Sequence, residues 1–226
     1  MSIGTGKTEL ENGIKLFRNE NYQEAIDSLE KTFENKNDIE SGYHLALAYA
    51  QIQNYDKTLE TFDKIMRRLD NPLRIMQAHI IVGYIYAIKE MYDLAEFELL
   101  DALASGIENT QIHSVLGYIY YKKNNTRKAI DSLRKAVAMD SQSANARNSL
   151  GFILADSGIN IDEGISEIKK ALNMDPKNPA YLDSLGWAFF KKNDIQNAKE
   201  FLTKAFEIAP TNKDIKEHLI KLDQLG

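Results

Sequence analysis

The sequence predicts an all-α chain, a solenoid of six helical hairpins closed by one further helix, and three observations carry that prediction. First, a Gly or Ala recurs in a similar apolar setting at Gly13, Ala46, Gly83, Gly117, Gly151 and Gly186, at intervals of 33, 37, 34, 34 and 35 residues. Second, two further rows follow in phase: Ala25, Thr58, Ala95, Ala129, Gly164 and Ala198, then Thr32, Ile65, Ala102, Ala136, Ala171 and Ala205. Between those rows stands a large apolar residue each time, at Leu29, Phe62, Leu99, Leu133, Ile168 and Leu202. Small residues let two helix backbones approach, and large ones fill the space beside them. Third, apolar residues recur three and four apart, which is the period of a helix and not of a strand.

Each unit therefore reads as two antiparallel helices joined by a short turn. The turns fall at Asn21-Tyr22, Asn54-Tyr55, Tyr92-Asp93, Asn125-Thr126, Asn160-Ile161 and Asp194-Ile195. Asn and Asp tolerate turn backbone and cap helix starts. Asn178-Pro179 reads as an N-cap followed by Pro at the first helical position, where the missing N–H is no loss. In residues 213–226, Ile215, Leu219 and Leu222 share one face and Lys213, Lys216, Glu217 and Lys221 lie elsewhere. This is the pattern of a capping helix over the exposed end of a stack.

The stretch Tyr181-Leu-Asp-Ser-Leu-Gly-Trp-Ala-Phe-Phe, then Asn197-Ala-Lys-Glu-Phe-Leu-Thr-Lys-Ala-Phe and Pro210, resembles a tetratricopeptide repeat. The resemblance covers nearly the whole chain and implies a right-handed α-solenoid. Its register places repeats at 6–38, 39–75, 76–109, 110–143, 144–178 and 179–212, after an N-terminal tail over 1–5. The pattern is departed from at Asn12 and Gly42, where larger residues are usual, and at Thr58 and Ile65, which stand in small-residue slots. Extra residues around Asp70-Asn71-Pro72 predict a looser or kinked junction. The segments Asn148-Ser-Leu-Gly-Phe and Asp183-Ser-Leu-Gly-Trp are similar to a pattern common in bacterial members of the family.

The resemblance also implies where function sits. In the family, positions 2, 5, 9 and 12 of each first helix line a concave groove. Here they include Leu10, Ile14 and Phe17, then Tyr43 and Leu47, Ile80 and Tyr84, Tyr118 and Tyr121, Asn148 and Phe152, and Asp183, Trp187 and Phe190. Position 9 is apolar or aromatic in all six repeats, which a solvated face does not require. The expected activity is that of a non-enzymatic protein-interaction scaffold, holding a peptide or amphipathic helix of a partner protein there. Three other readings stand beside it: packing of these residues only on neighbouring first helices, self-assembly into a homo-oligomer in which repeats or termini of one copy dock on another, and carriage of an apolar small ligand. The family's clamp for C-terminal carboxylates needs Lys, Asn and Arg. Lys7 fits one place, but Leu10, Ile14, His44, Gln77 and Ile81 occupy the others.

The remaining signals point away from other classes. A net charge of −5 offers no case for nucleic acid. The absence of Cys excludes disulfides, thiolate nucleophiles and Cys-based metal sites. The longest apolar run, Ile80 to Ile88, is far short of the roughly 18 residues that a membrane span needs. Gly4-Thr-Gly-Lys-Thr8 lacks the first glycine and the preceding strand of a phosphate loop. His44, His79, His113 and His218 have no zinc spacing; His79 and His113 share a repeat position and read as core. No cofactor is expected. With no apolar signal core in the first residues, the expected compartment is the cytoplasm; a periplasmic or membrane-attached site is the alternative if a native leader or lipid anchor is missing.

Overall fold

A computed structural model describes residues 3–104, 106 and 108–224. Among these residues the fold is an all-α solenoid of thirteen α-helices with no strand. It divides into two compact units, Met1–Ile107 and Glu108–Gly226. The first holds α1 (Ile3–Arg18), α2 (Tyr22–Lys36), α3 (Ile39–Gln51), α4 (Tyr55–Ile65), α5 (Pro72–Ile88) and α6 (Tyr92–Ala104). The second holds α7 (Thr110–Lys122), α8 (Thr126–Met139), α9 (Ala144–Asp156), α10 (Ile161–Met174), α11 (Pro179–Lys191), α12 (Ile195–Ile208) and α13 (Lys213–Asp223). Successive helices pair as hairpins: α1 with α2, α3 with α4, and so on to α11 with α12.

Each hairpin closes because a small residue of its first helix meets the large apolar residue of its second. Leu29, Phe62, Leu99, Leu133, Ile168 and Leu202 are all fully buried. Gly151 shows why the slot must stay empty. A Cβ there would lie 2.6 Å from the Gly164 carbonyl oxygen and 3.0 Å from the Ile168 nitrogen, so backbone itself fills the space. The turn between the two helices has a fixed shape as well. Glu20, Gln53, Glu90, Asn124 and Asn193 take φ between 58° and 64°, and Gly158 takes 70°. This left-handed conformation reverses the chain within a few residues and is disfavoured for side chains such as Glu and Gln. The next helix then starts on a side-chain cap: Asn54, Asn125, Asn160 and Asp194 each accept from a backbone N–H three residues on.

The departures from the repeat pattern compensate one another. Phe33 and Ile65 press into the space left by Gly42, where a Cβ would come within 2.7 Å and 2.9 Å of them. Thr58 is tolerated in its small slot because its hydroxyl donates to the Asn54 carbonyl at 2.9 Å. At the expected loose junction, a 3-10 turn over Met66–Arg68 leads to buried Leu69. Asn71 then caps α5, which begins early, at Pro72, and runs 17 residues. At the N-terminus α1 begins at Ile3, so residues 3–5, read as tail, are helical: no Pro interrupts that stretch, and propagation from the turn beyond adds one hydrogen bond per residue.

One second helix differs from the rest. The residues just before the small slot, two after it and five after it face outward. They are Glu24, Asp27 and Glu30 on α2, Lys57, Glu60 and Asp63 on α4, and Lys128, Asp131 and Arg134 on α8. On α10 they are Glu163, Ser166 and Lys169, and on α12 Asn197, Glu200 and Thr203. On α6 they are Leu94, Phe97 and Leu100, all exposed.

Candidate functional site on the first-helix faces

The first helices of each hairpin carry the side chains that the sequence assigns to a groove, and the structure sorts them by burial. In the unit of α1–α6, Leu10, Ile14 and Phe17 on α1 are half-buried, and Tyr43, Leu47 and Ile80 are buried. Tyr84 on α5 is 48% exposed. Tyr43 is held on three sides. Its hydroxyl donates to Gln77 Oε1 at 2.6 Å, the Arg74 guanidinium lies 4.9 Å above its ring, and Phe62 meets it edge-on. Arg74 also forms a two-pronged pair with Glu40, at 2.5 and 2.9 Å. Those hydrogen bonds hold the Glu40 carboxyl below its ordinary range against the opposing effect of burial. Neighbouring His44 is pushed down by burial, which outweighs the pull of the Glu40 charge.

In the unit of α7–α13 the aromatic side chains form a connected wall. Tyr121 meets Phe152 edge-on at 6.0 Å, and Trp187 stacks on Phe190 at 4.8 Å. Asp156, at the end of α9, joins the neighbouring helices. It accepts from the Tyr121 hydroxyl at 2.5 Å and from the Trp187 indole N–H at 2.8 Å, and Lys191 stands 3.5 Å away. Burial pushes this carboxyl up, but the two hydrogen bonds and the Lys191 charge win and hold it below its ordinary value. The Tyr121 phenol is raised by burial and by the same carboxylate.

Trp187 is sealed rather than offered. It is 7% exposed, with the His218 imidazole of α13 stacked on it at 4.2 Å and Lys221 of the same helix 5.2 Å from its ring centre. His218 Nδ1 also lies 2.9 Å from Asp183 Oδ1, so Asp183 is buried by the same contact. The sequence pattern places Trp187 and Asp183 on the groove, and on α11 they do share one face. The closing helix then takes the place that a partner would need. Tyr118 on α7 is 43% exposed, with Lys122 5.6 Å from its ring centre. Asn148 on α9 is half-buried, and its Oδ1 is buried with no hydrogen-bond partner among the described residues.

Three features escape sequence reading. Asp156 sits in Leu-Ala-Asp-Ser-Gly and reads as a turn residue; His218 reads as one more surface position of the cap. Arg147 and Glu167 form a pair at 2.5 Å between α9 and α10, both largely buried. The only advance signal for that pair is that Arg147 occupies the same repeat place as His79, whose Nδ1 lies 2.7 Å from Glu98 across its own hairpin. The other position-sharing histidine, His113, is buried. No cluster of three His, Asp or Glu side chains able to hold a metal occurs among the described residues. No helix described is long and apolar enough to cross a membrane.

Comparison with known proteins agrees with this architecture. A TPR-repeat model matches residues 117–158, and tetratricopeptide-repeat models match residues 180–212 and 40–69. A TPR repeat-containing protein of Pseudomonas aeruginosa is 32% identical over 80 residues, a stretch that covers 35% of this chain and 13% of that protein. Among solved structures, YrrB, described as a TPR protein with an unusual peptide-binding site, is 26% identical with a TM-score of 0.62. The match covers 84% of this chain and 96% of YrrB. PilW, described as a widely conserved type IV pilus biogenesis factor, is 14% identical with a TM-score of 0.75, over 96% of this chain and 100% of PilW, a likeness of fold alone. Hairpins closed on small residues, repeated in phase and matched by repeat models in both units, make the chain a tetratricopeptide-repeat protein.

Proposed function

We propose that the chain is a non-enzymatic protein-interaction scaffold, and that its second unit holds an apolar-rich peptide or helix of a partner protein against the first-helix faces of α7 and α9. The observation that carries this reading is an exposed aromatic ring on a wall whose other aromatic side chains are held in place. Tyr118 is 43% exposed, and Asn148 on α9 is half-buried. Beside them the Asp156 hydrogen bonds hold Tyr121 and Trp187 in place, so the wall is ordered before anything binds. The likeness to YrrB, a peptide-binding protein of the same fold, supports the class of ligand. Tyr is also among the residues that dominate binding energy at interfaces.

The test is selection of peptides from a random display library on the immobilised chain, followed by titration of the selected peptides. Tyr118→Ala should weaken binding roughly tenfold or more, with helix content unchanged by circular dichroism. Asn148→Leu, which removes the acceptor, should also weaken it. Selected peptides that bind the Tyr118→Ala and Asn148→Leu variants as tightly as the parent would remove this face from consideration.

A further inference from the structure

The outward faces of the second helices are charged or polar on α2, α4, α8, α10 and α12, but α6 presents Leu94, Phe97 and Leu100, exposed by 43%, 58% and 45%. Spaced three apart, the three side chains make one oblique ridge over two turns of helix. None of them is needed to close the hairpin, because Ala95, Leu99 and Ala102 do that from the opposite side and are fully buried. An apolar ridge where the same repeat place is otherwise polar marks a contact surface.

Charge identifies what the surface fits. On α6 and the turn before it, Glu90, Asp93, Glu96 and Asp101 stand against Lys89, while Glu98 is turned inward to His79. Glu98 aside, four carboxylates against one lysine leave this segment with a net charge of −3. Lys89 is itself engaged by Asp56 at 2.8 Å. A second copy of the chain laid on this ridge would bring like charge onto like charge, and an anionic lipid surface would be repelled in the same way. A cationic partner gains on both counts. We propose that the outer face of α6 is a docking surface for an amphipathic helix of another protein, one whose apolar stripe is flanked by Lys and Arg. The ridge shares no residue with the wall of α7 and α9, and the inference does not rest on the reading above.

The probe is a fluorescein-labelled synthetic peptide of about 18 residues, with Leu in helical register and Lys elsewhere, titrated against the full chain by fluorescence anisotropy. The same composition scrambled to destroy the stripe, and a Leu/Glu counterpart, serve as controls. The Leu/Lys helix should bind, and both controls should bind roughly tenfold or more weakly. The variant L94Q/F97Q/L100Q should lose binding by a similar factor while keeping its helix content, since polar residues stand at these places on the other second helices. Asp93→Asn with Asp101→Asn should lessen the salt dependence. The proposal is overturned if the parent chain does not bind the Leu/Lys helix, if the scrambled peptide binds equally, or if the triple variant binds as the parent does. It is also overturned if the parent sediments as a dimer that the triple variant dissolves, which would make the ridge a self-contact.

Discussion

Asp156 holds together more of the second unit than any other single polar side chain described above, because Tyr121, Trp187 and Lys191 all converge on it. Replacing it with Asn removes the charge and one acceptor, and should destabilise the chain at neutral pH by about 1–3 kcal/mol in urea unfolding. The pH dependence has a definite sign. The folded carboxyl titrates below its ordinary value, so its contribution is fully present above that value and is lost as pH falls through the folded one. The gap between parent and Asp156→Asn should therefore be constant near neutrality and close below about pH 4; a gap that widens on acidification would refute the assignment. Gly151 tests packing in the same unit. Its missing Cβ faces backbone as well as the Ile168 side chain, and backbone cannot swing aside, so Gly151→Ala should cost about 1–3 kcal/mol. These two residues also show what a sequence can convey. Gly151 is legible because a small residue in phase with five others has a single geometric use. Asp156 is not, because a lone Asp before Ser-Gly has a local explanation as a turn residue, while its partners come from helices 35 and 31 residues away.

At the scale of the element, the hairpin turns hold removable strain. Glu20, Gln53 and Glu90 adopt left-handed backbone that an L side chain resists, while Gly158 occupies the corresponding turn of its hairpin without that resistance. Gln53→Gly should stabilise the chain by up to about 1 kcal/mol, read as a rise in the urea midpoint with unchanged slope. The helix pairs themselves were readable because each places three small slots and one large residue in strict order. What was obscure is size exchange across helices. Gly42 and Ile65 each break the pattern when taken singly, yet Ile65 and Phe33 occupy the volume that Gly42 vacates. The cover on Trp187 was obscure for a related reason. A helical wheel for α11 gives the side on which the ring lies but not what the next helix lays over it.

For the whole molecule, six repeats in phase read as one continuous array, whereas the structure resolves into a unit of three hairpins and a unit of three hairpins with a closing helix. The second has its own buried core from Ala155 through Leu185 to Leu222, and its last stacking face is covered by Ile215 and Leu222. Stacked repeats draw their stability from nearest neighbours, and a terminal face needs a cap. Residues 108–226 expressed alone should thus keep their helix content and unfold in one cooperative step; a featureless melt would show that this core depends on the other unit. Trp187 is the only tryptophan in the chain, and its ring lies beneath the imidazole of the final helix. Intrinsic fluorescence is therefore a local gauge that needs no added dye: a red shift in emission would signal that α13 has lifted away, whatever the rest of the protein is doing.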